Sequence, residues 1–223
     1  LNQYGKFINF LNGGDIRNSN TSRYAELTTY QSPFIDITNT KYFITIAKDK
    51  EKFAEAKYEK VFVDKSSTIL KNSEALERVY LAKDFFIASK NEIEDIFMEK
   101  NFDPRNKIAL SKDLSIKAVT GQGLAEIVSY TPNQVKIITN TKDEELLILA
   151  DQFEDGWHAL IDGHPTQISP ANLIFRAIKI PPGSHQVTFY YWPTSFDLGL
   201  KISTATILLI ISIIILSLKR KIF

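Results

Sequence analysis

The sequence predicts an α+β fold, an antiparallel β-sandwich preceded by a smaller α/β segment and followed by one membrane-spanning helix. Three observations predict it. Residues 202–218 carry no charge and are dominated by Ile and Leu. From Ser115 onward, short alternating apolar runs are separated by turn signals at the intervals of a sandwich. Before Asn106, short helical patterns interleave with short apolar runs instead. The expected division is an α/β segment over 1–105, a sandwich-like segment over 106–195, a membrane helix over 196–219 and a tail at 220–223.

In chain order, Ser22 can cap a helix carrying Tyr24, Leu27 and Thr28, and Ser32-Pro33 breaks or restarts it before Phe34, Ile35 and Ile37. Residues 41–47 alternate Tyr42, Ile44 and Ile46 against Phe43 and Thr45, which spells a strand. Asp49 then caps a short charged helix through Lys57, and a strand follows over 58–63. Residues 68–70 and 79–88 are further strand candidates. Asn91 with Glu94 reads as a capping box for a helix whose Ile93, Ile96 and Phe97 share a face, ending before Asp103-Pro104.

The later strands are expected around Val135, Ile137 and Thr139, then over 146–150, 157–161, 173–180 and 185–192. Thr131-Pro132-Asn133, Asp155-Gly156, Asp162-Gly163 and Pro181-Pro182-Gly183 separate them. Asp162-Gly163 is the strongest turn signal, because a two-residue primed turn needs positive φ and Gly supplies it without steric cost.

Residues 198–218, at about 1.5 Å rise each, span about 32 Å, close to the hydrocarbon thickness of a bilayer. Ser203, Thr204, Thr206, Ser212 and Ser217 can bond back to the helix's own carbonyls. Lys219, Arg220 and Lys221 follow the span, against only Lys201 and Asp197 before it. By the positive-inside rule the C-terminus is expected in the cytoplasm and residues 1–196 outside it, with the lipid bilayer as partner. Tyr190, Tyr191, Trp192 and Phe196 stand where aromatic rings favour the headgroup level.

The chain begins at Leu1 with no basic region followed by an apolar one, so it reads as the tail of a longer membrane protein with upstream transmembrane helices. Lys plus Arg number 27 and Asp plus Glu 26, a net charge of +1, which argues against an electrostatic nucleic-acid binder. Cysteine is absent, which excludes a disulfide framework, a thiolate nucleophile and a Cys-based zinc site.

Candidate chemistry is sparse, and no catalytic residue, metal site or cofactor is read from it. His158 and His164 flank the Asp162-Gly163 turn, but with His185 they fit no recurrent metal spacing and read as solvent-facing strand and turn residues. Gly121-Gln122-Gly123 lacks the third glycine and precedes a strand-like run, so it is not a phosphate loop. Asp151, Glu154 and Asp155 crowd one loop and with Asp162 could serve as acid and base or as oxygen ligands; solvated loop polarity is the plainer reading. Trp157 after a turn and Arg176 inside an apolar strand both look costly unless used. An aromatic face with a planar cation can hold a sugar, and a Trp packed in the core with Arg paired to Asp151 explains the same residues. The ligand-contact candidates are therefore Trp157, Arg176, Asp151 and Asp162.

Residues 149–200 resemble the C-terminal end of the YfhO family of bacterial polytopic membrane proteins. That end has the form D-x-Y-x-P-G-W-x-A-x-V-D-G, then A-N-x-x-F-R-A-V-x-V-P-x-G-x-H-x-V-x-F-x-Y-x-P, then a last transmembrane helix. Here Asp151, Gly156-Trp157, Ala159, Ile161-Asp162-Gly163, Ala171-Asn172, Phe175-Arg176-Ala177-Ile178, Ile180-Pro181, Gly183, His185, Val187, Phe189, Tyr191 and Pro193 hold the order and spacing. Upstream, Arg23-Tyr24, the segment around Lys41-Tyr42 and Leu76-Glu77-Arg78 match more loosely. Asp155 and Glu77 stand where the family has proline, both in turns.

The resemblance implies a fold similar to the GT-C class of glycosyltransferases, which use a polyprenyl-linked sugar at the outer membrane face to modify an envelope polymer such as teichoic acid. Their catalytic acid lies in an early outer loop outside this chain, so no active-site residue carries over. The opposing reading is a non-enzymatic, membrane-anchored carbohydrate- or protein-binding module.

Overall fold

The computed structural model describes residues 2–18, 27–46, 57–99 and 101–222. The elements in chain order are α1 (Asn2–Leu11), α2 (Pro33–Asp36), β1 (Tyr42–Ile46), β2 (Tyr58–Val63), β3 (Ser67–Asn72), β4 (Val79–Leu81), β5 (Phe85–Ile87) and α3 (Lys90–Met98). There follow β6 (Ile108–Leu110), β7 (Leu124–Thr131), β8 (Gln134–Thr141), β9 (Glu145–Leu149), β10 (Trp157–Ile161), β11 (His164–Thr166), β12 (Ser169–Ala171), β13 (Phe175–Ile180), β14 (Gly183–Tyr191) and α4 (Thr194–Ile222).

The strands form a small sheet β1-β3-β2, an outer sheet β11-β10-β14-β8-β7 and a central sheet β4-β9-β13-β12-β6-β5. All pairings are antiparallel except β5 with β6. The central sheet is covered on both faces. Leu147 and Leu149 of β9 with Ile178 and Ile180 of β13 meet Val135, Ile137, Val187 and Phe189 of the outer sheet, which is the sandwich. Leu146, Ile148, Phe175 and Ala177 point the other way, onto Phe7 and Leu11 of α1, Phe34 of α2 and Ile93 and Phe97 of α3. Because successive side chains alternate faces, a sheet packed on both sides needs apolar residues at every position, and all five residues of β9 are buried. The central sheet takes strands from both sides of residue 106, so both parts of the sequence share one core.

Several local expectations are corrected. Residues 79–88 make two strands, with Ala82 bonding to Leu146 between them before the chain crosses to β6. The α3 capping box is Ser89 with Glu92, not Asn91 with Glu94: the Glu92 carboxylate accepts from the Ser89 amide at 2.8 Å. Glu94 instead is buried between Lys6 and Lys90 (3.8 and 3.9 Å), because the face carrying Ile93 and Phe97 sets the helix phase. Ser32 caps α2 before Pro33, as the break signal implies. The helix expected from Ser22 lies outside the described residues except for Leu27 and Thr28, which are in irregular chain, and the one expected from Asp49 lies outside them except for Lys57, which is in a turn.

Helix α4 follows β14 after only Trp192-Pro193. Its stretch Thr194–Ser217 is long and apolar enough to cross a membrane, and none of it is buried among the described residues. Thr204, Thr206 and Ser212 donate to the carbonyls four residues back at 2.8–2.9 Å, so these three hydroxyls are paired within the helix.

Candidate functional site at the helix-proximal end of the sandwich

Since β14 runs directly into α4, the last residues of β14 mark the sandwich end nearest the helix. The register places Trp157 opposite Tyr191, and Gln134 opposite Tyr190, at that same end. The α4 root is tied down there. The Trp192 amide donates to the Gly156 carbonyl (2.7 Å), the Tyr191 amide to the Asn133 carbonyl (2.9 Å), and the His158 Nε2 to the Trp192 carbonyl (3.1 Å). Gly156 is required by close approach: a Cβ there would stand 2.6 Å from Tyr191 Cε2 and 3.1 Å from Pro193 Cβ. His158 also stacks on Tyr190, with ring centroids 5.2 Å apart.

Arg176 shares its face of β13 with Ile178 and Ile180, so alternation drives its guanidinium into the sandwich, where it is 3 % exposed. Its Cζ lies 3.6 Å from the Trp157 ring centroid, and Nε donates to the Gln152 carbonyl at 3.0 Å. Nη1 is buried with no hydrogen-bond partner among the described residues. Burial pulls the Arg176 pKa down to about 10, opposed in part by Asp151. Asp151 itself is claimed by Arg78, which donates through Nε (2.8 Å) and lies 2.7 Å away through Nη2. The Tyr130 hydroxyl donates to the other Asp151 oxygen at 3.2 Å, and Arg78 lies over the Tyr130 ring at 4.1 Å. Burial, then the Asp151 charge, holds the Tyr130 pKa above its ordinary value.

Three of the four candidate residues thus come together, in a different pairing from the expected one. Trp157 covers Arg176, and Arg78 rather than Arg176 neutralises Asp151. The fourth, Asp162, sits at the far end of β10, about 16 Å from Trp157 at the usual strand rise. There it occupies the predicted primed turn, with φ of +50° and Gly163 at +82°. Its carboxylate accepts from the Gln186 amide (2.8 Å) and from His185 Nδ1 (2.6 Å), while His185 Nε2 faces the Pro182 carbonyl (3.0 Å). Both imidazole nitrogens face oxygens that can only accept, an arrangement that favours the doubly protonated ring. The hydrogen bond to Asp162, then that to Pro182, raises the His185 pKa, and His185 lowers that of Asp162.

A cleft opens beside Trp157. The edge strand β11 pairs only with Ala159, Leu160 and Ile161, which leaves the start of β10 uncovered. A depression of about 260 Å³ occupies the gap, lined among others by Phe153, Asp155, Trp157, His158, Gln167 and Tyr190, with Lys112 at its margin. Ring faces beside a carboxylate and an amide suit a molecule with one apolar face and hydroxyls at its rim. A second cleft of about 380 Å³ shares Phe153 and Asp155 and reaches Lys90, Ser111 and Glu154.

Sequence reasoning missed Arg78, Tyr130 and His158 as parts of this end. Only an arginine immediately before an apolar strand, at Arg78, could have signalled a buried partner.

Residues 113–203 match the family model described as bacterial membrane protein YfhO. No curated protein matches the chain, and no solved structure does. The matched stretch contains β7 to β14, the Trp157 cleft, the Gly156 joint and the first turns of α4. Residues 113–203 are accordingly a YfhO-family region, joined in this chain to an apolar helix of membrane-spanning length.

Proposed function

We infer that this chain is the extracytoplasmic C-terminal domain and last membrane span of a larger glycosyltransferase that transfers sugar from a polyprenyl-phosphate donor to a cell-envelope polymer such as teichoic acid. The domain's share is to hold the acceptor beside the membrane, and the transfer chemistry belongs to upstream parts of the protein. The cleft beside Trp157 carries this reading. It combines a stacking ring, the Asp155 carboxylate and the Gln167 amide for hydroxyls, and Lys112 for an anionic polymer, at the sandwich end from which α4 leaves. Lys219, Arg220 and Lys221 support the orientation, since a basic cluster after the span favours a cytoplasmic C-terminus and an outer sandwich. Arg176, stacked on Trp157 with its Cζ 3.6 Å from the ring centroid, holds the ring in place.

The test uses the full chain in detergent micelles with Trp192→Phe, which leaves Trp157 as the sole tryptophan. Titration with short glycerol-phosphate oligomers of teichoic acid should give a saturable change in emission that Asp155→Ala weakens. A flat titration on protein folded by circular dichroism refutes acceptor binding at this cleft.

A further inference from the structure

The β1-β3-β2 sheet is covered on one face along β1 and β3 and open on the other, with β2 exposed beyond Tyr58. Phe43, Thr45, Tyr58, Thr68 and Leu70 face inward. On the other face the register lines up Ile44, Ile69 and Phe62 in one row across all three strands, with Tyr42 and Ile46 on either side of Ile44 along β1. Ile44 is 78 % exposed, Ile46 61 %, Tyr42 57 % and Phe62 50 %. The bulge between Lys60 and Phe62 adds Val61 to the exposed set. An open apolar face on a sheet with free edges is an association surface in water, and native proteins normally blunt it with charge. Charged side chains share that face: Lys71 of the middle strand and Glu59 of β2 form the row next to it with Tyr42, and Asp64 and Lys65 stand in the β2–β3 turn.

The sheet is rooted at the α4 end of the molecule. Lys41, just before β1, pairs with Glu77 at 2.8 Å, and Glu77 precedes Arg78, whose partners Asp151 and Tyr130 belong to the helix-proximal cluster. Asn72 at the end of β3 bonds back to the Lys41 carbonyl (2.8 Å), and Leu76 to the Asp36 carbonyl (2.8 Å), so the root is fixed. Strands of five or six residues reach about 17–20 Å from that root. The same end presents Trp192 and Phe196 in edge-to-face contact at 4.9 Å, both exposed, at the level where α4 enters the bilayer.

We propose that the open face of the β1-β3-β2 sheet is a second membrane contact, resting on the lipid surface from which α4 rises. Ile44, Ile46 and Phe62 lie at the boundary of headgroups and acyl chains, and Lys65 and Lys71 reach lipid phosphates, the arrangement by which amphipathic surfaces lie in an interface. The lipid surface is the occupant because the bilayer contact of α4 begins at the end where this sheet is rooted. The proposal does not depend on the transferase reading.

The chain has no cysteine, so one introduced thiol labels one site. Spin labels are placed at Ile44→Cys and Phe62→Cys, and at Asp143→Cys in the β8–β9 loop at the far end of the sandwich, in the full chain reconstituted into vesicles of equimolar phosphatidylethanolamine and phosphatidylglycerol. The ratio of collision rates with oxygen and with a water-soluble nickel chelate should be several-fold higher at 44 and 62 than at 143. Adding Ile44→Asp should bring the ratio at 62 down towards that at 143. Labels at 44 and 62 as open to nickel as 143 overturn the proposal. Labels shielded from both reagents overturn it too, and dipolar broadening would then name a second copy as the cover.

Discussion

Gly156→Ala tests whether close packing at the α4 root explains the Gly-Trp pair. The added Cβ would stand 2.6 and 2.9 Å from two Tyr191 ring atoms, so the ring must withdraw by about 1 Å to reach ordinary contact. Tyr191 is 36 % exposed and has room to swing outward. Doing so separates it from Trp157, whose ring centroid is 5.3 Å away, at a cost of about 1 kcal/mol, and strains the 2.7 Å bond from the Trp192 amide, worth about another 1 kcal/mol. The expected loss is about 2 kcal/mol, within the usual range for overpacking and a large part of a domain's stability. Urea unfolding of the full chain in micelles, followed by near-ultraviolet circular dichroism, should show the midpoint falling by about 1 M with an unchanged slope. In a Tyr191→Ala background the same substitution should cost less than about 0.5 kcal/mol, because the ring it meets is gone. Equal costs in both backgrounds would refute the steric account.

Other consequences can be measured separately. The pKa of about 10 means the Arg176 charge is disfavoured at its site by about 3 kcal/mol, which offsets its bond to Gln152 and its contact with Trp157, so Arg176→Met should unfold within about 1–2 kcal/mol of wild type while shifting Trp157 emission. Arg78→Ala should cost more, about 2 kcal/mol by the same unfolding assay, because Asp151 is buried and would lose both Arg78 contacts while keeping the Tyr130 hydroxyl. His185 holds its proton more tightly folded than unfolded, so its pairing with Asp162 contributes fully below about 6.5 and fades as pH rises through the raised value. Asp162, whose pKa is lowered, keeps its contribution above about 3.8 and loses it as pH falls through the depressed value. Asp162→Asn should return the His185 midpoint, followed by nuclear magnetic resonance, to the ordinary imidazole range; an unmoved midpoint would show that Pro182 alone sets it. Asn172 has φ +47° and its Oδ1 accepts from the buried Ala109 amide (2.9 Å), so Asn172→Ala should lose about 2–4 kcal/mol, and Asn172→Gly less, because glycine removes the backbone strain.

How much could be read beforehand depended on the range of the determining contacts. Strands β8, β10 and β14 were legible because one face of each meets the core, and Asp162-Gly163 was legible because positive φ is a property of two adjacent residues. The three-residue strands β5, β6, β11 and β12 are too short to show a period. At α3 the box is Ser89 with Glu92 in place of the expected Asn91 with Glu94, because the tertiary burial of Ile93 and Phe97 sets where the helix starts. Trp157 and Arg176 stood out because such residues are expensive in an apolar strand. Their partners did not, since Arg78 reaches Asp151 across 73 residues and Gln152 offers only a main-chain carbonyl.

The joint after β14 makes the sandwich a lever on the membrane helix. Trp192 is bonded through its amide to Gly156 and through its carbonyl to His158, so little slack separates helix from sheet. The nine residues of β14 extend about 30 Å, and a helix tilt of about 10°, a change within reach of ordinary bilayer mismatch, would carry the His185 end sideways by about 5 Å. Bilayer thickness would thereby set where the far loops of the sandwich point.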